Sequence, residues 1–233
     1  MLLNKYDEYS VGGTDKNGEG MRKKDELAID KILECAKKEF TEKGFEGASM
    51  RSIAESAGYT TGMLYGRFAD KGELFREIVK CAADQLYGYY TGVQDAFADL
   101  APETQYREMN RYVDNKVDGM LDIVYGHFDE FKLIICKSKG SEYERYVEKL
   151  IEVESVNTVR FIDELNGAGL KVRAVRADLT HMLATAMFNG MFEVVEHDFT
   201  KDEARIYIKE LQYFFNAGWD KILGLPSDWK LPE

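Results

Sequence analysis

The chain has 233 residues, 45% of them hydrophobic and 31% charged, and its 42 Asp and Glu against 31 Lys and Arg give a formal net charge of −11. That is the composition of an ordinary soluble protein with enough chain to bury a core. No run approaches the roughly 18 apolar residues of a membrane span, and the opening MLLNKYDEYSVGGTDKNGEG has neither the apolar region nor the cleavage site of a secretory leader, so a cytoplasmic protein without membrane contact is expected.

Only Pro102, Pro226 and Pro232 interrupt the chain, which leaves long windows for helices and favours an all-α fold. Residues 1–20 are polar and Gly-rich and are expected to be a disordered extension, with Met21 a second candidate start. From Asp25 the pattern changes: Leu27, Ile29, Ile32, Leu33, Ala36 and Phe40 recur at helical spacing, and Gly44 stands where a left-handed cap would close the helix. Ser49 is a candidate N-cap for a short second helix bearing Ile53, Ala54 and Ala57, closed by Gly58. Thr60 or Thr61 caps a third that ends near Phe68. Asp70 followed by Glu73 resembles a capping box opening a long fourth helix to about Ala98. Beyond Pro102, helical periods predict a helix to about Gly126, a shorter one over Phe128–Ile135 and a long one over Tyr143–Leu165. Two more follow, over Ala177–Glu196 and Lys201–Leu223. The three cysteines, Cys35, Cys81 and Cys136, have no metal or redox spacing and are read as reduced, mostly buried apolar side chains.

A helix, a Gly-containing turn and a second helix, preceded by a supporting helix, is the helix-turn-helix arrangement. The run ILECAKKEFTEKGFEGASMRSIAESAGYTTGMLYGRFADKGELF, Ile32 to Phe75, resembles the N-terminal domain of the tetracycline-repressor-like (TetR) family of transcriptional regulators. The resemblance rests on the Gly-Phe exit of the first helix, on Ser49–Gly58, on G-x-L-Y-x-x-F at Gly62–Phe68, and on the Lys71–Leu74 helix entry. It implies an N-terminal three-helix reading domain (21–70) followed by a helical ligand-binding and dimerisation domain (71–233). Its implied partners are a double-stranded DNA operator, a small-molecule effector and a second copy of the chain.

The residues themselves suit that role. Gly62 has no Cβ to hold a phosphate or base edge away, Thr60 and Thr61 bring hydroxyls to the start of the third helix, and Tyr65, Arg67 and Lys71 supply a phenol and two cations. The resemblance assigns Tyr65 and Lys71 to phosphates and Thr60 and Thr61 to the groove-facing end; Ser49 and Arg51 complete the expected DNA-contacting set. Gly66 departs from the family, where a larger side chain is common, and costs the helix up to about 1 kcal/mol. The acid lies elsewhere: residues 21–80 hold 12 basic and 11 acidic residues, and residues 81–233 hold 17 and 27.

The last two helices are apolar around an arc too wide for one core. Leu183, Ala186, Gly190 and Val194 on one, and Tyr207, Leu211, Phe215 and Trp219 on the other, are the expected dimer seam. Met109, Tyr112, Met120, Tyr125, Phe128, Phe161 and Met187 are the expected lining of an effector pocket. Asp114, Asp118 and Asp122 form an i, i+4 carboxylate row read as a solvated face. Catalytic spacings are missing, and Glu193 with His197 falls short of a metal site, so neither an enzyme nor a cofactor is expected. The alternative is a helical small-molecule-binding or interaction module that has lost DNA binding.

Overall fold

The computed structural model describes residues 16–224, and among them are nine α-helices and no strand. Residues 1–15 of the expected N-terminal extension lie outside the described residues, while α1 (Lys16–Gly47) begins at Lys16 rather than Asp25. Its buried stripe is Ala28, Ile32, Ala36 and Phe40, strictly four apart. Leu27, expected on that stripe, is 62% exposed because its neighbour Ala28 takes the inward position.

Two left-handed glycines shape the head. Gly44 (φ 69°) bends the end of α1 so that the N–H of Phe45 reaches the carbonyl of Lys137, 2.8 Å away. Gly58 (φ 77°) closes α2 (Met50–Ala57), as expected. α3 (Thr61–Tyr65) is shorter than expected, with Gly66 at its C-cap, while Phe68 turns back into the core. Ser49 occupies the N-cap of α2 without a capping bond from its side chain. In α4 (Lys71–Ala98), Asp70 accepts from the Glu73 N–H, but the Glu73 carboxylate accepts from Ala69 rather than completing a box on Asp70.

The remaining elements are α5 (Pro102–Gly126), α6 (Phe128–Cys136), α7 (Tyr146–Gly167), α8 (Ala177–Glu196) and α9 (Lys201–Leu223). Pro102 opens α5 where a missing N–H costs nothing, and a Thr200–Glu203 capping box opens α9. α7 packs on α8, and α4 is shared, touching α1, α5, α6 and α7. Phe75 at the start of α4 meets Phe40 and Phe45 edge-on, at 5.0 and 5.4 Å between ring centres.

One apolar cluster runs from Ile32 in the head to Ile208 in α9, and a second, smaller one gathers Ile162, Leu165, Val172 and Leu223. Cys81 and Cys136 are exposed, a correction to their expected burial: on α4 the inward positions beside Cys81 are taken by Val79, Ala82 and Ala83.

Candidate nucleic-acid interface and internal cavity

The expected DNA-contacting residues gather on α2, α3 and the start of α4. Ser49, Arg51, Thr60, Gly62 and Tyr65 are exposed, Tyr65 at 53%, and Thr61, Arg67 and Lys71 are half-buried. A Cβ built on Gly62 would meet nothing within 4 Å, so the backbone there is open to close approach from outside. The Thr60 hydroxyl accepts from the N–H of Met63 at 3.2 Å and fixes the start of α3.

The cations of this face already have partners. Arg51 pairs with Glu55 at 2.8 Å, and Arg67 with Asp25 at 3.0 Å. Lys71 sits 4.7 Å from the centre of the Phe45 ring and donates to the carbonyls of Glu46 and Ala48 at 3.2 and 3.1 Å. It therefore closes the exit of α1 as well as bringing charge, and one of its three N–H donors remains for a phosphate.

Glu39 was not anticipated as an organiser of this head. Buried at the end of α1, it accepts from the Ser49 N–H, the Ser52 hydroxyl and Lys43 at 3.3, 3.0 and 2.8 Å, tying α2 to α1. Burial pushes its carboxyl up, but these donors outweigh that and hold it below the ordinary value. No periodic signal links residues 39, 49 and 52.

The second feature is a cavity of about 110 Å³ walled by α4, α5, α7, α8 and α9. It opens where the larger apolar cluster, represented by Val117 and Met187, meets the smaller one, represented by Phe161 and Leu223. Met109, Tyr112, Phe161 and Met187 are among the residues that line it. The other three expected lining residues lie elsewhere. Met120 faces a smaller cleft beside Val194, and Tyr125 donates to the Phe199 carbonyl at 2.7 Å with Phe128 against its ring, pinning the α8–α9 turn.

Between these walls lies a polar core. Lys116, 4% exposed, is 3.1 Å from Glu154, which also accepts from the Tyr90 hydroxyl and the Gln94 amide. Tyr112 donates to the Gln94 carbonyl oxygen at 2.8 Å, and Lys116 lies over the Tyr90 and Tyr112 rings. Burial alone would raise the Glu154 carboxyl; Lys116, Tyr90 and Gln94 outweigh it and keep it below its ordinary value. Burial first, then the Glu154 charge, drives the Tyr90 and Tyr112 phenols well up, so both stay protonated donors.

A signal for this core was present in the sequence. The buried stripe of α4 runs Leu86, Tyr90, Gln94; that of α7 includes Leu150 and leads one turn on to the half-buried Glu154; that of α9 runs Ala204, Ile208, Gln212 and, one turn further each time, Asn216 and Asp220 at the cavity. Apolar stripes that turn polar at the same level mark a shared polar chamber.

The expected dimer seam divides. Leu183 and Phe215 are half-buried and Ala186 is exposed, but Val194 is buried in the chain's own core and Trp219 lines the cavity. Gly190 admits α9 of the same chain: a Cβ there would stand 3.1 Å from Leu211, and the Tyr207 hydroxyl donates to the Gly190 carbonyl. The outward apolar side chains are instead Leu179 and Met182 on α8, and Ile206 and Phe214 (71% exposed) on α9. Asp114, Asp118 and Asp122 are exposed, and Asp122 pairs with Lys201. Glu193 and His197 meet at 2.9 Å without a third ligating group beside them among the described residues. Among those residues, too, no helix is long and apolar enough to cross a membrane.

Residues 32–78 match the family model for bacterial regulatory proteins of the tetR family. Over that stretch the chain carries a TetR-type N-terminal domain. The match covers the TetR-type head, α4 entry included. The chain is 26% identical over 119 residues to the HTH-type transcriptional regulator YfiR of Bacillus subtilis, across 51% of this chain and 55% of that protein. It is 35% identical over 68 residues to the HTH-type transcriptional repressor KstR2 of Mycobacterium tuberculosis, across 29% and 34%. It thus spans about half or less of the length of these two relatives. Over the longer span only the TetR fold is shared: a TetR-like transcriptional regulator from Rhodococcus sp. RHA1 aligns with TM-score 0.52 at 19% identity, covering 82% of this chain and 96% of that one. Native NalD of Pseudomonas aeruginosa aligns with TM-score 0.51 at 19% identity, covering 88% and 100%.

Proposed function

We propose that the protein is a DNA-binding transcriptional regulator, a repressor released from a palindromic operator when a small molecule enters the cavity. In this reading residues 21–70 read DNA, residues 71–233 bind the effector and pair two copies, and the protein works in the cytoplasm. The carrying observation is that one unbroken helix, α4, bears Lys71 at the head and Gln94 and Phe97 at the cavity wall. At 1.5 Å per residue those ends are ~35 Å apart, and a helix without a break moves as a rod. A ligand that shifts Gln94 therefore displaces Lys71 and the α1 exit it closes.

The effector acts by binding one orientation of the heads better than the other. A two-fold dimer sets its heads one DNA turn, about 34–36 Å, apart, and altered spacing lowers operator affinity. The outward side chains Leu179, Met182, Ile206 and Phe214 support pairing through α8 and α9.

Selection of bound duplexes from a random pool, with wild-type protein and with Tyr65→Ala, tests the reading. A palindromic consensus obtained with the first and lost with the second is the expected result. Failure to enrich any duplex would leave a helical small-molecule-binding module.

A further inference from the structure

We infer that the cavity selects a neutral, apolar-bodied molecule bearing a carbonyl-type acceptor, held by Gln212 and Asn216 of α9; this rests on the effector-binding reading above. The amide Nε2 of Gln212 and Nδ2 of Asn216 are buried and have no hydrogen-bond partner, and Gln212 as a whole is 8% exposed. Both residues line the cavity and stand one turn apart on the same helix. Buried N–H donors without partners are rare in folded proteins because each has given up water for nothing. An acceptor oxygen on the ligand restores what both have lost.

The charges lining the cavity set the sign. Lys116 is committed to Glu154, and Arg160 lies 3.8 Å from Glu164, which also accepts from Gln105. The two cations of this lining thus each face a carboxylate, so an anionic ligand would find no uncompensated cation among the described residues that wall the cavity. Glu154 already takes three donors, so it does not call for a cationic ligand. The body of the ligand is fixed by the rest of the wall. Phe97 and Tyr112 stack at 3.9 Å between ring centres, and Phe161, Met187 and Trp219 complete a surface suited to an aromatic or alicyclic ring.

The test is calorimetric titration of the full chain with four probes that share a naphthalene body: 2-acetylnaphthalene, its isostere 2-isopropenylnaphthalene, 2-naphthoate and 2-naphthylmethylammonium. The ketone is expected to bind about tenfold or more tighter than the isostere, the anion and the cation. In Gln212→Leu/Asn216→Leu the ketone and the isostere bind alike. Both changes remove unpartnered amides, so the variant should fold; Asn216→Leu alone, at the more exposed position, gives a partial loss of preference and serves if the double variant does not. Equal or tighter binding of the isostere, the anion or the cation, no binding of any probe, or a preference that survives in the variants overturns the inference. Duplex binding is measured on the same samples. Operator binding without ketone preference defeats this assignment alone, and ketone preference without duplex binding defeats the DNA-reading proposal alone.

Discussion

Arg51 and Glu55 form an exposed i, i+4 pair on the reading head, and such pairs contribute little to stability. A phosphate can therefore take Arg51 from Glu55 at small cost, which makes Glu55 a restraint on DNA binding. Glu55→Gln should tighten binding to any duplex and steepen the dependence of log K on log salt by about 0.9, the release of one further counterion; titration at several salt concentrations reads both. Tyr65→Phe should weaken binding by about 1 kcal/mol, similarly for operator and random duplex, because a phosphate contact positions without specifying. Lys71 behaves differently: since it also caps the α1 exit, Lys71→Met should lower the melting temperature of the head together with its affinity. The sequence offered these side chains by type and spacing. The Arg51–Glu55 pair follows from i, i+4 spacing on one helix, but that Arg67 and Lys71 would be engaged within the chain was not legible there, because Asp25 and the carbonyls of Glu46 and Ala48 reach them only through the folding of α1 over α2 and α4.

At the scale of elements, the joint between α5 and α7 hangs on Lys116 and Glu154. A buried ion pair adds little net stability, but removing one partner strands the other. Lys116→Met should cost about 3–5 kcal/mol in urea unfolding at neutral pH, and Lys116→Met/Glu154→Leu should recover most of it. The pH dependence has a definite sign. The Glu154 carboxyl titrates lower in the folded chain than in the unfolded one, so its contribution is complete above the unfolded pKa of about 4.3 and is lost as pH falls through the folded value. In Lys116→Met burial, the largest of these effects, is opposed only by the Tyr90 and Gln94 donors, and the folded pKa is expected to rise above the unfolded one. Stability then falls as pH rises through it, and unfolding midpoints from about pH 4 to 7 should reverse their slope. Helix boundaries were largely readable, because Gly58, Pro102 and the Thr200–Glu203 box act on their own few neighbours. The inward face was less so: Leu27 and Ala28 both satisfy a helical period, and only packing against the head core chose Ala28.

For the whole molecule, the acidic balance lies in residues 81–233, away from the reading head. With a Debye length of roughly 8 Å at physiological salt, distal carboxylates hardly weaken contacts at the DNA surface, while the net charge disfavours random duplex. The proposed dimer carries the remaining prediction. Met182→Glu/Phe214→Glu places charge on the outward apolar side chains of α8 and α9 and touches no buried residue. Sedimentation should then report a monomer with unchanged helicity, and operator affinity should fall by about 10²-fold or more, the loss of a linked second half-site.

The all-α class, the positions of the caps and the helix-turn-helix head were legible along the chain, because these follow from local φ preferences, short-range capping and a dense run of 45 or so residues around Ile32–Phe75. Which apolar side chains face outward and which wall a cavity was settled by the packing of helices on one another. Val194 and Trp219 turned inward because α8 and α9 pack on each other at Gly190, and Gln94, Lys116, Glu154 and Gln212 met because four helices bring their polar turns to one level. A period shows that a helix has an inner face; what that face meets depends on residues scores of positions away.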